Sequence, residues 1–405
     1  MWQNCRKRSL WLNKQLKNFT YRSTLPSNRS EKITMNLLIP TATGIEAVVE
    51  RQLYMLGYRN AKAHFGRILV ENCDWTDVAR LNMFLRSGER VLVCLGTFTA
   101  TTFDELFEGV RALPWQEYLT THSRVTVITK TVDSTLFAYN AIQSIGKKAV
   151  VAAVTPHFGS LDEDGAETVV ELAIRNNVVS VNIDTSGAGL HKRGYRPQTY
   201  IAPLKETTAS ALVDLSVWNP DKMLTDLFCG SGTICIEAAL KALKIAPGRN
   251  RKFAYNNWAC VPESAYTAAV AEADDIRVER KLNIVGGDIN PKAIELAKVC
   301  AANAGVADCI KFNLRNAADF VTRSSYGVNI SNPPYGERIG DVQEVRDICK
   351  SMGTLYKTLD KWNFYFLSPY EFFERDFGRR ADKKRYIFNA GIKCSYYSFQ
   401  GPKPL

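Results

Sequence analysis

The chain of 405 residues is 46% apolar and 23% charged with a net charge of +11, a length that predicts two or three domains and a composition that predicts a soluble, core-forming protein. No window approaches the run of about eighteen uncharged apolar residues that a membrane-spanning helix needs. The ten cysteines are never closer than six positions apart, no Cys-x-x-Cys pair occurs, and His64, His122, His157 and His191 stand apart from them, which argues against a metal site and a disulfide framework and makes a reducing cytoplasm the expected compartment.

The positive charge is uneven. Residues 1–34 carry eight Lys and Arg against Glu31 alone, a net of +7 that leaves +4 for the rest. Such a leader suits a transit peptide or a nucleic-acid arm. The expected reading is an extension ahead of a start at Met35, because the first strand, "MNLLIPTA", begins there.

From Met35 the pattern predicts strand, helix, strand over 35–72, with Ile45, Val48, Val49, Leu53 and Leu56 at helical spacing. Two amphipathic helices follow, "TDVARLNMFLRSG" and "TFDELFEGVRAL", the second stopped by Pro114. A strand "SRVTVITK", a helix "TLFAYNAIQSIGKKAVV" and two strands flanking Asn176-Asn177 complete an α/β region, 35–185; the paired asparagines predict a tight hairpin turn. This half holds few catalytic side chains, so its expected task is binding or positioning.

Residues 186–405 alternate differently. A helix over 202–218 leads into "MLTDLF", helix 233–244, a long connection, "LNIVGGD", helix 291–304, "IKFNLRN", "GVNISNPPY", helix 341–360 and "NFYFLS". Alternating strands and helices predict a doubly wound, mostly parallel sheet whose ligands sit at the carboxyl ends of its strands.

Three motifs lie at such ends. In "TDLFCGSGTICIEAAL", Asp226 closes a strand, Gly230 and Gly232 make the turn and Thr233 opens a helix. A dinucleotide fingerprint is excluded, because Cys235 stands where its third glycine belongs. The next strand-end acid, Asp288, also lies 62 residues on, against roughly twenty for that fold. The spacing suits S-adenosylmethionine, which has no pyrophosphate. In "IVGGDINPKAIELAK", Asp288 either takes ribose hydroxyls or caps the helix that Pro291 opens; beside the glycine turn, the ribose role is favoured. In "SNPPYGER", the Asn332 side-chain oxygen and the Pro333 carbonyl suit an exocyclic amine on a planar base, with Tyr335 as a stacking face. The alternative is a stiff exit from a strand.

"DLFCGSGT", "IAPGRNRKFAYNNW", "GGDINPKAIELAK", "NPPYGERIG", "DTSGAGLHKRGYRPQTYIAPLKETTASAL" and "FGRRADKKRYIFNAG" together resemble the THUMP-domain class I RNA methyltransferases. Within these the chain is similar to the bacterial 23S rRNA guanine-N2 group in its single-methyltransferase form. The resemblance, from about Met35 onward, implies a ferredoxin-like segment and a THUMP domain ahead of a Rossmann-like catalytic domain. It implies S-adenosylmethionine as donor, a donor pocket lined by Asp226, Phe228, Gly230, Gly232, Thr233, Asp288 and Asn332, and a segment over Arg196–Thr207, including Lys205 and Thr207, covering the donor's amino-acid end. Where many relatives have Asp for the adenine amino group, Asn316 is expected, next to Ala317, with Asp319 as the alternative. The implied partner is ribosomal RNA, with no membrane and no metal.

The stretches "HKRGYR", "GRNRK" and "GRRADKKR" interleave cations with Tyr195, Phe253 and Tyr386. Any one could be a solvated face, but three make an RNA contact expected, chiefly through Arg193, Arg196, Arg379, Arg380, Lys383, Lys384 and Arg385. Competing readings are guanine methylation in tRNA, adenine-N6 methylation, protein-glutamine methylation, and a non-catalytic RNA-binding assembly protein. A DNA enzyme lacks an evident sequence-reading domain here, and a glutamine enzyme does not need the N-terminal half.

Overall fold

The structure is a computed structural model describing residues 34–197, 204–336, 341–359 and 361–402. The expected leader, the middle of the segment over 196–207 and the "ERIG" after Gly336 lie outside the described residues.

The first half folds as one seven-stranded sheet. Its strands are β1 (Met35–Pro40), β2 (Lys62–His64), β3 (Arg67–Cys73), β4 (Leu92–Thr99), β5 (Arg124–Val132), β6 (Glu167–Arg175) and β7 (Val178–Asp184), in the order β2-β3-β1-β4-β7-β6-β5. Helices α1 (Glu46–Met55), α2 (Trp75–Phe84), α3 (Phe103–Arg111) and α4 (Tyr139–Phe158) pack on it. Asp74 and Thr102 start α2 and α3 with capping boxes, in which the cap side chain takes the N3 amide and the N3 acid takes the cap amide. The expected turn at Asn176-Asn177 is present, both residues at positive φ (49° and 64°), joining β6 to β7. Strands β2 and β4 are additions to the sequence reading. β4 lies in the middle of the sheet between β1 and β7, where its apolar run does not alternate with polar residues and so carries no period-two signal.

The second half holds the expected doubly wound sheet, in the order β10-β9-β8-β11-β12-β14-β13. Strands β8 (Met223–Asp226), β9 (Ile284–Asp288), β10 (Ile310–Leu314), β11 (Gly327–Ser331) and β12 (Asn363–Ser368) pair in parallel. The chain runs outward from β8 to β10 and then crosses back to β11, which opens the crevice of a switch point between β8 and β11. Helices α5 (Glu206–Leu215), α6 (Thr233–Ala242), α7 (Glu263–Asp275), α8 (Pro291–Asn303), α9 (Asp341–Thr358) and α10 (Phe373–Phe377) complete the layers. The sheet ends in an antiparallel hairpin, β13 (Lys383–Asn389) and β14 (Ile392–Phe399). β13 is an addition to the sequence reading, where it counts only as a cationic stretch; an edge strand carries charges on its exposed positions.

Packing crosses the expected boundary at 185. The long connection after α6 contains α7, whose Ala265, Ala269 and Ala273 join Phe253, Tyr255 and Trp258 in the core under the first sheet. Arg80 on α2 forks onto Glu272 of α7 at 2.7 Å through both Nε and Nη2. In the other direction, Ile45 and Val48 of the α1 region belong to the core of the second sheet. The edge amide of Phe388 on β13 donates to the Thr43 carbonyl at 3.1 Å. Next to it Gly44 has φ +100°, and a Cβ there would stand 2.0 Å from the Tyr386 carbonyl oxygen; only glycine fits.

A shared core predicts that residues 186–402 expressed alone expose Phe253, Tyr255, Trp258 and the alanine face of α7, and aggregate. The full chain should instead unfold in one transition, checked by denaturant titration followed by both fluorescence and circular dichroism.

Candidate active site

The glycine turn leaves β8 after Asp226, and both glycines need left-handed backbone: φ is +51° at Gly230 and +78° at Gly232. Gly232 is the N-cap of α6 and is also needed for space, since a Cβ would lie 2.9 Å from the Phe312 ring. At Gly230 a Cβ would meet nothing within 4 Å, so the turn faces an open crevice. Asp288, at the end of β9, accepts the Gly230 amide at 2.9 Å through Oδ2 and the Asn290 amide at 2.9 Å through Oδ1. The cap of α8 is Asn290, whose Oδ1 takes the Lys292 amide. Asp288 is therefore not the cap of α8; its two oxygens each hold one backbone amide at the rim of the crevice.

Asp226 is buried and accepts the Phe228 amide at 3.2 Å. Burial, with the Asp288 charge adding to it, pushes its carboxyl up to about 7 against the Phe228 and Ser331 hydrogen bonds. Beyond β10, Asn316 caps a short turn by accepting the Ala318 amide at 2.9 Å. A narrow slot there is lined by Leu227, Val285, Ala317 and Phe320 together with Asn313, Arg315 and Asn316. Asp319 is exposed.

Asn332 stands at the end of β11, adjacent to β8 at the switch point. Ser331 ties the two strands, accepting the Leu227 amide at 3.0 Å. Pro333 is buried and Pro334 exposed. Tyr335 packs its ring against the second-sheet core and donates its hydroxyl to Asn332 Oδ1 at 2.6 Å. The hydroxyl in turn accepts from Asn389 Nδ2 at 3.3 Å. The tyrosine thus orients the asparagine amide, a role beyond the stacking expected from sequence.

A charged relay reaches the turn from the other half of the molecule. Glu89, between α2 and β4, accepts Thr207 Oγ1 at 2.8 Å and Lys205 Nζ at 3.0 Å. Burial opposes its charge, yet His191, Lys205 and Thr207 hold its carboxyl down to about 2. Glu206, between those two partners, pairs with Arg196 at 3.2 Å. Arg196 Nη2 then donates to Thr233 Oγ1 at 2.7 Å, at the start of α6.

The structure corrects part of the basic-patch reading. Arg193 is 4% exposed; its guanidinium donates to the Leu190 and Arg86 carbonyls and faces Glu237, so no phosphate reaches it. Tyr195 is buried against the same Glu237. Arg196 serves the relay. In the second stretch Arg251 donates to the Gly189, Lys192 and Ser186 carbonyls, and Arg249 pairs with Asp274. Arg251 is an internal staple, whereas the Arg249–Asp274 pair lies at the surface. In the third stretch Arg380, Lys383, Lys384 and Arg385 are exposed, and Arg379 is exposed while held by Asp382 and Tyr356. Glu89, Glu206, Asn389 and Ser331 are the contributors that sequence reasoning missed.

An open glycine turn flanked by two strand-end carboxylates, with a narrow slot beyond, fits a cationic donor carrying a ribose and a flat base. These are features of a class I methyltransferase. A family model described as "RMKL-like, methyltransferase domain" matches residues 193–398, an RlmL ferredoxin-like domain matches 36–92, and a THUMP domain matches 100–184. The chain is 41% identical over 368 residues to "Putative RNA methyltransferase YpsC" of Bacillus subtilis strain 168, covering 89% of this chain and 95% of that one. It is 28% identical over 379 residues to "Ribosomal RNA large subunit methyltransferase K/L" of Marinomonas sp. strain MWYL1, covering 90% of this chain and spanning about half of that longer protein, 52%. The solved structure of SMU.472, described as a putative methyltransferase complexed with SAH, superposes with a TM-score of 0.87 at 40% identity, over 93% of this chain and 100% of that one. The chain belongs to the RMKL-like methyltransferase family, and S-adenosylmethionine is its cofactor.

Two outcomes follow from this geometry. Glu89→Gln is expected to weaken S-adenosylhomocysteine binding about tenfold, the scale of one charged hydrogen bond, with little change in kcat at saturating donor; calorimetry and steady-state kinetics check both. Below about pH 7 Asp226 holds a proton, which a cationic donor must displace. Affinity for S-adenosylmethionine should therefore rise between pH 6 and pH 8, and Asp226→Asn should flatten that profile.

Proposed function

We propose that this chain transfers a methyl group from S-adenosylmethionine to the exocyclic N2 of a guanine in 23S ribosomal RNA. The observation that carries the reading is the position of Asn332, one strand away from the glycine turn and held in orientation by Tyr335. The THUMP match and the names of the relatives, one an RNA and one a large-subunit ribosomal RNA methyltransferase, support RNA as the substrate.

The donor supplies an electrophilic methyl on a sulfonium. The work of this chain's residues is to hold an amine in line with that carbon. An amine conjugated to a purine ring is a weak nucleophile, because its lone pair is shared with the ring. Asn332 Oδ1 and the Pro333 carbonyl accept its two N–H bonds, which favours the pyramidal geometry of attack and stabilises the positive charge that develops on nitrogen. Proline at 333 and 334 removes competing amide donors. The proton leaves after methylation, when the nitrogen has become acidic, so no strong base is required. Asp288 holds the ribose hydroxyls, Asp226 sits beneath the turn, and Asn316 and Ala317 border the adenine slot. Arg196 and Thr233, with Lys205 and Thr207 braced by Glu89, shape the amino-acid end. A paired guanine hides its N2 in the minor groove, so the target is unpaired or flipped when it reacts.

Incubation with radiolabelled donor and separate pools of undermodified rRNA, tRNA and DNA, followed by digestion to nucleosides, tests the reading. Label in N2-methylguanosine from 23S rRNA is expected; label confined to N6-methyladenine, tRNA or DNA refutes it. Asn332→Ala should keep S-adenosylhomocysteine affinity within about twofold while transfer falls about a hundredfold or more, as for removal of one transition-state hydrogen bond.

A further inference from the structure

The β13–β14 hairpin has two unlike faces. On one, Ile387 is fully buried and Asn389 reaches the Tyr335 hydroxyl. On the other, register sets Lys384 opposite Tyr397, Tyr386 opposite Ser395 and Phe388 opposite Lys393. Tyr386 is 54% exposed and Phe388 42%. The Lys393 ammonium lies 4.5 Å from the centre of the Tyr386 ring and the Lys384 ammonium 6.0 Å. Glu374 pairs with Lys384 and Asp382 with Arg379. Among the described residues, no acid forms an ion pair with Lys393.

Lysines on an edge strand have an ordinary purpose, which is to deter pairing with other chains. That purpose does not call for two large rings held in water between them. Rings flanked by cations are instead what unpaired nucleotides bind: bases stack on the rings and phosphates meet the ammonium groups. The patch also lies in the right place. Phe388 stands at the same end of β13 as Asn389, whose side chain, on the opposite face of the hairpin, touches the tyrosine that orients Asn332. β14 runs antiparallel to β12 and pairs Ser395 with Ser368, so the turn joining β13 to β14 projects beyond the carboxyl ends of the parallel strands, on the side of the site.

We propose that this face of the hairpin, built from Tyr386, Phe388, Lys384 and Lys393, seats the single-stranded nucleotides beside the target base. The proposal rests on the reading of RNA as substrate. It makes the hairpin the part of the catalytic domain that distinguishes an unpaired strand from a duplex.

The full chain, a fluorescein-labelled twelve-nucleotide single-stranded RNA of mixed sequence and a twelve-base-pair RNA duplex test it by anisotropy, with S-adenosylhomocysteine affinity measured alongside. Tyr386→Ala/Phe388→Ala is expected to weaken single-strand binding roughly tenfold or more, given about 1–3 kcal/mol per stacked base. Duplex affinity and S-adenosylhomocysteine affinity should stay within about twofold, which also shows that the variant is folded. Lys393→Gln should lower the slope of log affinity against log salt by about 0.7, as for one lost phosphate contact on a single strand. Unchanged single-strand affinity in the double variant, or equal losses for strand and duplex, overturns the proposal. A wild-type chain that binds S-adenosylhomocysteine but neither RNA removes RNA as the substrate, and the hairpin role falls with it.

Discussion

One hydrogen bond, from the Gly230 amide to Asp288, joins the two strand ends on which the site is built. It fixes the glycine turn against β9, and so fixes where α6 begins and where Thr233 and the second carboxylate stand. The turn is possible only because Gly230 and Gly232 take left-handed backbone and because Gly232 leaves room for the Phe312 ring. Parallel pairing then brings β11 alongside β8, and Ser331 locks the exit of one strand to the exit of the other. Donor pocket and acceptor motif are thus neighbours by sheet topology, with Ser331 hydrogen-bonded to the Asp226 carboxyl between them.

The N-terminal half does more than carry a binding domain. Its Glu89 braces Lys205 and Thr207, its Thr43 carbonyl covers the edge amide of β13, and its α1 contributes to the catalytic core. The debt is returned by the connection after α6, whose aromatic residues and α7 complete the first core. A few arginines are absorbed inside the fold rather than offered to a partner. Arg80 and Arg193 use the planar, many-donor guanidinium to join the two halves, through Glu272 and the Arg86 carbonyl, while Arg196 and Arg251 clamp partners within the second half.

What was legible in the sequence is what chemistry requires to be local. Asp226 to Thr233, Asp288 with its proline-opened helix, and Asn332 to Tyr335 each combine a strand end with the turn that follows it, so spacing alone exposes them. Glu89 and Asn389 act across 118 and 54 positions, and nothing in their flanks distinguishes them from surface polar residues; Arg196 stands out in sequence, but not its reach of 37 positions to Thr233. Charge clusters mislead for the same reason. "HKRGYR" and "GRRADKKR" look alike on the page, and only a buried acid 44 residues away, Glu237, makes the first an interior feature. β13 illustrates the converse: a cationic stretch proves to be an edge strand once its partner is known.

The interleaved core has a bearing on synthesis. The first sheet is fully translated by residue 184, yet Phe253, Tyr255, Trp258 and α7, which complete its core, follow about seventy to ninety residues later. At roughly 5–20 residues per second, the nascent N-terminal half spends several seconds with an unfilled apolar face after its last strand has formed. The chain therefore closes both halves together late in translation, and the protein's yield in the cell depends on how well that open face is shielded while the ribosome is still at work.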